Sequence, residues 1–213
     1  SAGLSGVIFW GWDLGGFSGD VPTAELFIRS TQMAAFCPIM QYHAESKAEL
    51  NQDRTPWNIA ERSGDERAIS VYRYFANVRM SLLPYISQEA NYAVETGEPL
   101  MRPLVLDYEE DPITHEIWDD YLFGRSLLVA PVVEEGARSR SVYLPEGRWF
   151  ALFEETWLDG GRWVERDVPL DRIPVFVKEG TVLPLNMPES GVLGDEMSSK
   201  VNDYANLVER KFK

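Results

Sequence analysis

The residues best placed to do chemistry are Asp13 and His43, each at the end of a short apolar run, with Phe17 between them. Asp13 follows Val7-Ile8-Phe9-Trp10-Gly11-Trp12 and precedes Leu14-Gly15-Gly16-Phe17. An unbroken apolar run is the pattern of a strand buried on both faces, so the carboxylate stands where that strand leaves the core. Paired glycines permit backbone angles that residues with a Cβ avoid, and Gly15 and Gly16 can therefore swing the chain so that Phe17 lies back over a pocket. A carboxylate in this place either accepts hydrogen bonds from a ligand or braces the neighbouring strands.

The elements that position them follow from spacing. Pro38-Ile39-Met40-Gln41-Tyr42 is again mostly apolar and ends in His43, about thirty residues after the first run, the interval of a strand, helix, strand unit. Parallel strands put their carboxyl ends on one face, which in (β/α) barrels carries the active site. Between them, 20–36 predicts a helix capped by Asp20 or Thr23, with Ala24, Phe27, Ile28, Thr31 and Ala35 on one face. A polar loop is expected over 45–58. Ser63-Gly64-Asp65-Glu66 has capping-box spacing and introduces the longest helical segment, with a kink or break expected at Pro84 and a stop at Gly97. From Leu100 onward the pattern changes to short β-rich runs at 100–106, 126–133, 140–144, 149–153, 162–164, 173–177 and 181–185. Strands without intervening helices predict an antiparallel sandwich, with the boundary near residue 99.

Composition narrows the ligand. The chain has 213 residues, 45% of them hydrophobic, enough for one or two globular domains. A net charge of −14, from 34 acidic and 20 basic residues, disfavours nucleic acid and anionic membrane surfaces, which need clustered Lys and Arg. A neutral ligand such as a sugar fits better. The single cysteine, Cys37, excludes an internal disulfide and supplies no metal-ligand set; it reads as a small core residue. No stretch approaches the length of a membrane span, and the opening at Ser1 without methionine predicts a piece of a longer chain.

The run FWGWDLGGFSGDVPTAELFIRSTQMAAFCPIMQYH closely resembles the seventh and eighth barrel strands of glycoside hydrolase family 31, the α-glucosidases and α-xylosidases. The resemblance continues through Arg54-Thr55-Pro56-Trp57, Ser81-Leu82-Leu83-Pro84-Tyr85, Met101-Arg102-Pro103-Leu104, the run from Leu127 to Val132, the run from Tyr143 to Trp149 and the run from Pro169 to Val177. It implies an α/β part followed by an all-β part: the last two βα units of a (β/α)8 barrel over 1–98, a proximal antiparallel β-sandwich over 99–186, and the linker and opening strand of a distal β domain over 187–213.

Glycoside hydrolysis needs two carboxyl groups flanking the scissile bond. In this retaining family the resemblance puts the aspartate nucleophile and the aspartate acid/base upstream of Ser1, so no catalytic residue is assigned here and the chain alone is expected to be inactive. The resemblance places Asp13, Phe17 and His43 in the subsite for the reacting sugar, with Trp12 and Arg54 as further candidate binding residues. Stacking of Arg54 on Trp57 to stiffen the loop is the plainer reading for that arginine. Trp10 reads as packing, His115 as surface, Arg102 as a bridge between barrel and sandwich, and the aromatics from Trp149 to Trp163 as sandwich core. The expected partners are a neutral oligosaccharide and the N-terminal part of the same enzyme, without metal or cofactor. A noncatalytic carbohydrate-binding or structural sandwich is the alternative, but such a module has no use for two barrel strands.

Overall fold

The computed structural model describes residues 2–44, 53–197 and 204–213. The two expected barrel strands run side by side without a regular ladder. Their pairing is a single parallel bridge, Asp13 to Gln41, reinforced by the Leu14 N–H donating to the Gln41 carbonyl at 3.0 Å. Gly11 makes the close approach possible, since a Cβ there would fall 2.7 Å from the Ile39 carbonyl oxygen. The expectation that 7–10 is buried on both faces is corrected: Val7 and Phe9, like Ile39 in the second segment, are 42%, 38% and 43% exposed. An apolar strand is buried only when neighbours cover both its faces, and no other described strand flanks this pair.

Between them α1 spans Ala24–Ala34 and is capped by Thr23, whose Oγ1 accepts the Leu26 N–H at 3.2 Å. It begins later than expected because Thr23 is extended, and it buries Ala24, Phe27, Ile28, Thr31 and Ala34. The next helix, α2, spans Pro56–Ser63 with Thr55 as cap and Pro56 in the first turn, where a missing N–H costs nothing. The loop therefore ends before Pro56, and its portion 45–52 lies outside the described residues.

The capping box at Ser63 is a second correction. Ser63 is the last residue of α2, its hydroxyl donates to the Ile59 carbonyl at 2.7 Å, and Gly64 at φ 68° ends that helix. The following helix, α3, spans Arg67–Thr96, and the Asp65 carboxylate accepts its Arg67 N–H at 3.0 Å. It runs through Pro84 without a break and stops at Gly97, φ 79°. Proline inside a helix costs about 3 kcal/mol. Burying Val71, Phe75, Val78, Leu82 and Tyr85 along the same helix outweighs that, at about 1.5 to 3 kcal/mol for each large side chain.

The β half comprises β1 (Met101–Pro103), β2 (Tyr121–Phe123), β3 (Leu127–Val129), β4 (Ser139–Leu144), β5 (Arg148–Ala151), β6 (Thr156–Asp159), β7 (Arg162–Asp167), β8 (Val175–Lys178), β9 (Val182–Asn186) and β10 (Leu207–Lys211). A six-stranded antiparallel sheet in the order β1-β2-β3-β8-β5-β6 accompanies the pairs β4-β7 and β9-β10. The expected strand over 100–106 stops at Pro103, where α4 (Leu104–Asp107) begins. Two strands, β2 and β6, were not expected; three and four residues are too short for a readable alternation.

Period-two alternation makes the six-stranded sheet the middle layer. Leu127, Val129, Val175 and Val177 join one core with Val71, Phe75, Val78 and Leu82 of α3. Leu128 and Phe176, from the alternate positions, join a second core with Val142 and Leu144 of β4 and with Trp149 of β5. Trp149 is fully buried with its indole N–H on the Pro145 carbonyl at 2.8 Å, whereas Trp163 is 53% exposed.

Arginines join the helices to the sheets. Arg29 of α1 is buried and donates to four carbonyls of the sandwich, Val168 at 2.7 Å, Arg172 at 2.8 Å, Pro169 at 3.1 Å and Ala137 at 3.2 Å. One turn away Gln32 donates to the Leu170 carbonyl at 2.8 Å. Arg79 of α3 donates to the carbonyls of Ala34, Ala35, Cys37 and Pro38, covering the C-terminal end of α1. Arg102 grips Asp107 with two nitrogens and Glu98 with a third, linking the end of α3 to β1 and α4.

Replacing Arg29 by Met removes these donors and leaves four carbonyls to find other partners. A loss of about 3 to 5 kcal/mol in urea unfolding is expected, and a loss below about 1 kcal/mol would show that water substitutes for the guanidinium. Cys37 is fully buried beside Tyr121, and burial pushes its thiol up to about 12. Its reaction with a disulfide reagent at neutral pH is expected to be at least about a hundredfold slower in the native protein than in denaturant; equal rates would refute its burial.

Candidate functional site

The site is built at the carboxyl ends of the two parallel segments. Asp13 is half-buried, and its Oδ1 accepts the side-chain N–H of Gln41 at 2.8 Å. Gln41 lies two residues before His43, so the alternation of an extended chain puts both on one face. After Asp13 the chain turns through Gly15 at φ 71° and Gly16 at φ 92°. A Cβ at Gly15 would also fall 2.5 Å from Pro22 Cγ, which leaves glycine as the residue that fits. The turn delivers Phe17 face-on to His43, ring centroids 5.3 Å apart and planes inclined by 21°. Phe17 is 44% exposed and His43 is exposed, so this stacked pair presents both rings to solvent.

Trp12 is anchored from behind, its indole N–H donating to Ser30 Oγ of α1 at 2.8 Å. Trp10 lies against it at 6.0 Å, and both pack on the main core. Arg54 has only 1% exposure; its guanidinium donates to the carbonyls of Ser18 at 3.0 Å, Gly19 at 3.1 Å and Asp20 at 3.1 Å. Trp57, its expected stacking partner, is 59% exposed. The structure thus brings Asp13, Phe17 and His43 to one end of the pair, with Trp12 turned to α1 and Arg54 turned to the loop that carries Phe17. His115 is exposed far along the chain, its Nε2 2.8 Å from the Glu109 carbonyl oxygen.

Two residues of this constellation, Gln41 and Ser30, were not singled out from the sequence. The signal for Gln41 was its two-residue offset from His43; for Ser30, nothing short of the packing of Trp12 on α1 identifies it. Among the described residues no group of three or more His, Cys, Asp or Glu side chains is placed to hold a metal ion.

The described residues thus combine a parallel pair that ends in a carboxylate, an imidazole and an exposed aromatic ring with an antiparallel β part that follows it. Residues 1–89 match the glycosyl hydrolase family 31 TIM-barrel domain and residues 97–183 the family 31 C-terminal domain. The chain belongs to glycoside hydrolase family 31. It is 42% identical to an isomaltosyltransferase of Sporosarcina globispora over 99% of its own length and 19% of that protein. It is 46% identical to a 1,3-alpha-isomaltosidase of Kribbella flavida over 84% of its length and 25% of that protein. Among solved structures, the cycloalternan-forming enzyme from Listeria monocytogenes in complex with pentasaccharide substrate superimposes with a TM-score of 0.96 at 40% identity, covering 99% of this chain and 20% of that one. The chain therefore spans about a fifth to a quarter of the length of these relatives.

Proposed function

We propose that this chain completes the C-terminal side of the catalytic barrel, and the proximal sandwich, of a retaining α-glycosidase that acts on terminal α-linked glucosyl or xylosyl residues of neutral oligosaccharides. The observation that carries this reading is the Phe17–His43 stack beside Asp13 at the shared end of the parallel pair. In this reading Asp13, with Oδ1 held by Gln41, offers Oδ2 to sugar hydroxyls, His43 adds a hydrogen bond to the same ring, and Phe17 covers its C–H face. Trp12 and Arg54 back the subsite. Relatives matched along 99% of the chain carry the names isomaltosyltransferase and cycloalternan-forming enzyme, which favours an α-glucosyl unit over a xylosyl one. Residues 1–98 form the barrel portion and 99–186 the sandwich. Residues 187–213 are read as the linker and opening strand of a distal β part; within them β10 pairs with β9, and 198–203 lie outside the described residues.

The mechanism needs one carboxylic acid to protonate the leaving oxygen and one carboxylate to attack the anomeric carbon. Neither role falls to Asp13, whose place in this reading is to bind hydroxyls, and the pair is supplied by the rest of the enzyme. Bound hydroxyls hold the sugar ring against that pair, and binding strengthened in the transition state raises the rate.

In the complete enzyme, His43→Ala is expected to lower kcat/KM about tenfold or more, since a hydrogen bond involving a charged or strongly polar partner is worth about 1.5 to 3 kcal/mol. His115→Ala is expected to change it less than about twofold. Equal losses from both would reduce His43 to a packing residue. The 213-residue chain by itself is expected to show no turnover of aryl α-glucosides or α-xylosides. Turnover that an α-glycosidase inhibitor abolishes would refute the assignment of both carboxylates to other parts of the enzyme.

A further inference from the structure

Arg54 joins the site loop to the start of α2. The Asp53 carboxylate accepts both the Thr55 N–H at 2.9 Å and the Thr55 hydroxyl at 3.0 Å, and Thr55 caps α2, so the backbone on either side of Arg54 is fixed by its neighbours. The loop it meets is the opposite. Gly15, Gly16 and Gly19 all lie at positive φ, 71°, 92° and 78°, and a stretch so rich in glycine has many conformations of similar energy. Three consecutive carbonyls, those of Ser18, Gly19 and Asp20, nevertheless converge on one nitrogen of the buried guanidinium. Carbonyl dipoles pointing at one spot repel one another unless a cation sits there. The first of them follows Phe17 directly, and Phe17 lies flat on His43.

We infer that Arg54 is a positioning residue: with 1% exposure it contacts no sugar, and its cation locks the loop that seats Phe17 on His43. The inference rests on the reading that Phe17 and His43 line the reacting-sugar subsite. A lysine at 54 keeps the charge, but its shorter side chain ends its ammonium short of the place that the donating guanidinium nitrogen occupies, so it holds the three carbonyls less well.

The test is a double-mutant cycle in the complete enzyme, with kcat/KM on an aryl α-glucoside and the melting temperature measured for each variant. Arg54→Lys is expected to lower kcat/KM about tenfold in the wild-type background and less than about threefold in Phe17→Ala, because the loop then has no ring to position. Equal fold losses in both backgrounds would overturn the inference, assigning Arg54 a general structural role. If Phe17→Ala alone leaves kcat/KM unchanged, the subsite reading itself fails and the inference falls with it. Should Arg54→Lys not fold, Gly16→Ala disturbs the same loop by another route. At φ 92° a Cβ is strained, yet it would meet no atom within 4 Å. The same loss and the same dependence on Phe17 are expected from it, and additivity with Phe17→Ala would again overturn the inference.

Discussion

The contact on which the rest of this structure depends is the buried guanidinium of Arg29 set among the carbonyls of Ala137, Val168, Pro169 and Arg172. It ties the helix between the two barrel segments to the far side of the sandwich. Burying a cation is costly, and here the cost is offset by the hydrogen bonds of its two terminal nitrogens, to these carbonyls and to the Gln32 side chain. Carbonyl groups in an irregular segment lack ladder partners, so the same contact satisfies both sides. With α1 fixed in this way, Trp12 finds Ser30 and the first barrel segment lies against the helix.

The same device recurs at Arg79 and Arg54. Arg79 gathers four carbonyls around the end of α1, and Arg54 gathers three from the loop after Asp13. In each case the chain departs from regular structure and a side chain on a neighbouring helix, or just before one, takes up the freed backbone acceptors. Arginine suits this task because its donors are arrayed in a plane and its charge is retained when buried. The two barrel segments need such support because their own pairing is a single bridge. Packing of α3 on the six-stranded sheet supplies the remaining hold, through Tyr85 donating to the Phe123 carbonyl at 2.8 Å and through the apolar face around it.

The candidate site inherits its geometry from both sources. Asp13 and His43 share an end because the segments are parallel, and Phe17 returns to His43 because glycines permit the turn and Arg54 holds its far side. The exposed apolar residues Val7, Phe9 and Ile39 lie on those same segments. A segment that reads as buried on both faces in sequence therefore has one uncovered face here.

Local chemistry was legible wherever a residue acts on its immediate neighbours. The helix around Phe27 and Ile28, the Thr23 cap, the stop at Gly97 and the β-rich second half all follow from side-chain type and spacing. Ser63 misled because its spacing to Glu66 fits a helix start equally well as a helix end, and only the left-handed Gly64 distinguishes them. Pro84 does not break its helix because its local penalty is outweighed by apolar contacts contributed from distant segments. Tertiary structure alone decided which carbonyls each arginine collects, that Gln41 holds Asp13, and that Trp12 turns toward Ser30. These are contacts between residues far apart in sequence, and no local pattern encodes where a long side chain finds its partner. The sequence by itself determined the family and which residues stand at the ends of the two parallel segments; the fold decided what holds them there, because that depends on distances between segments that only packing sets.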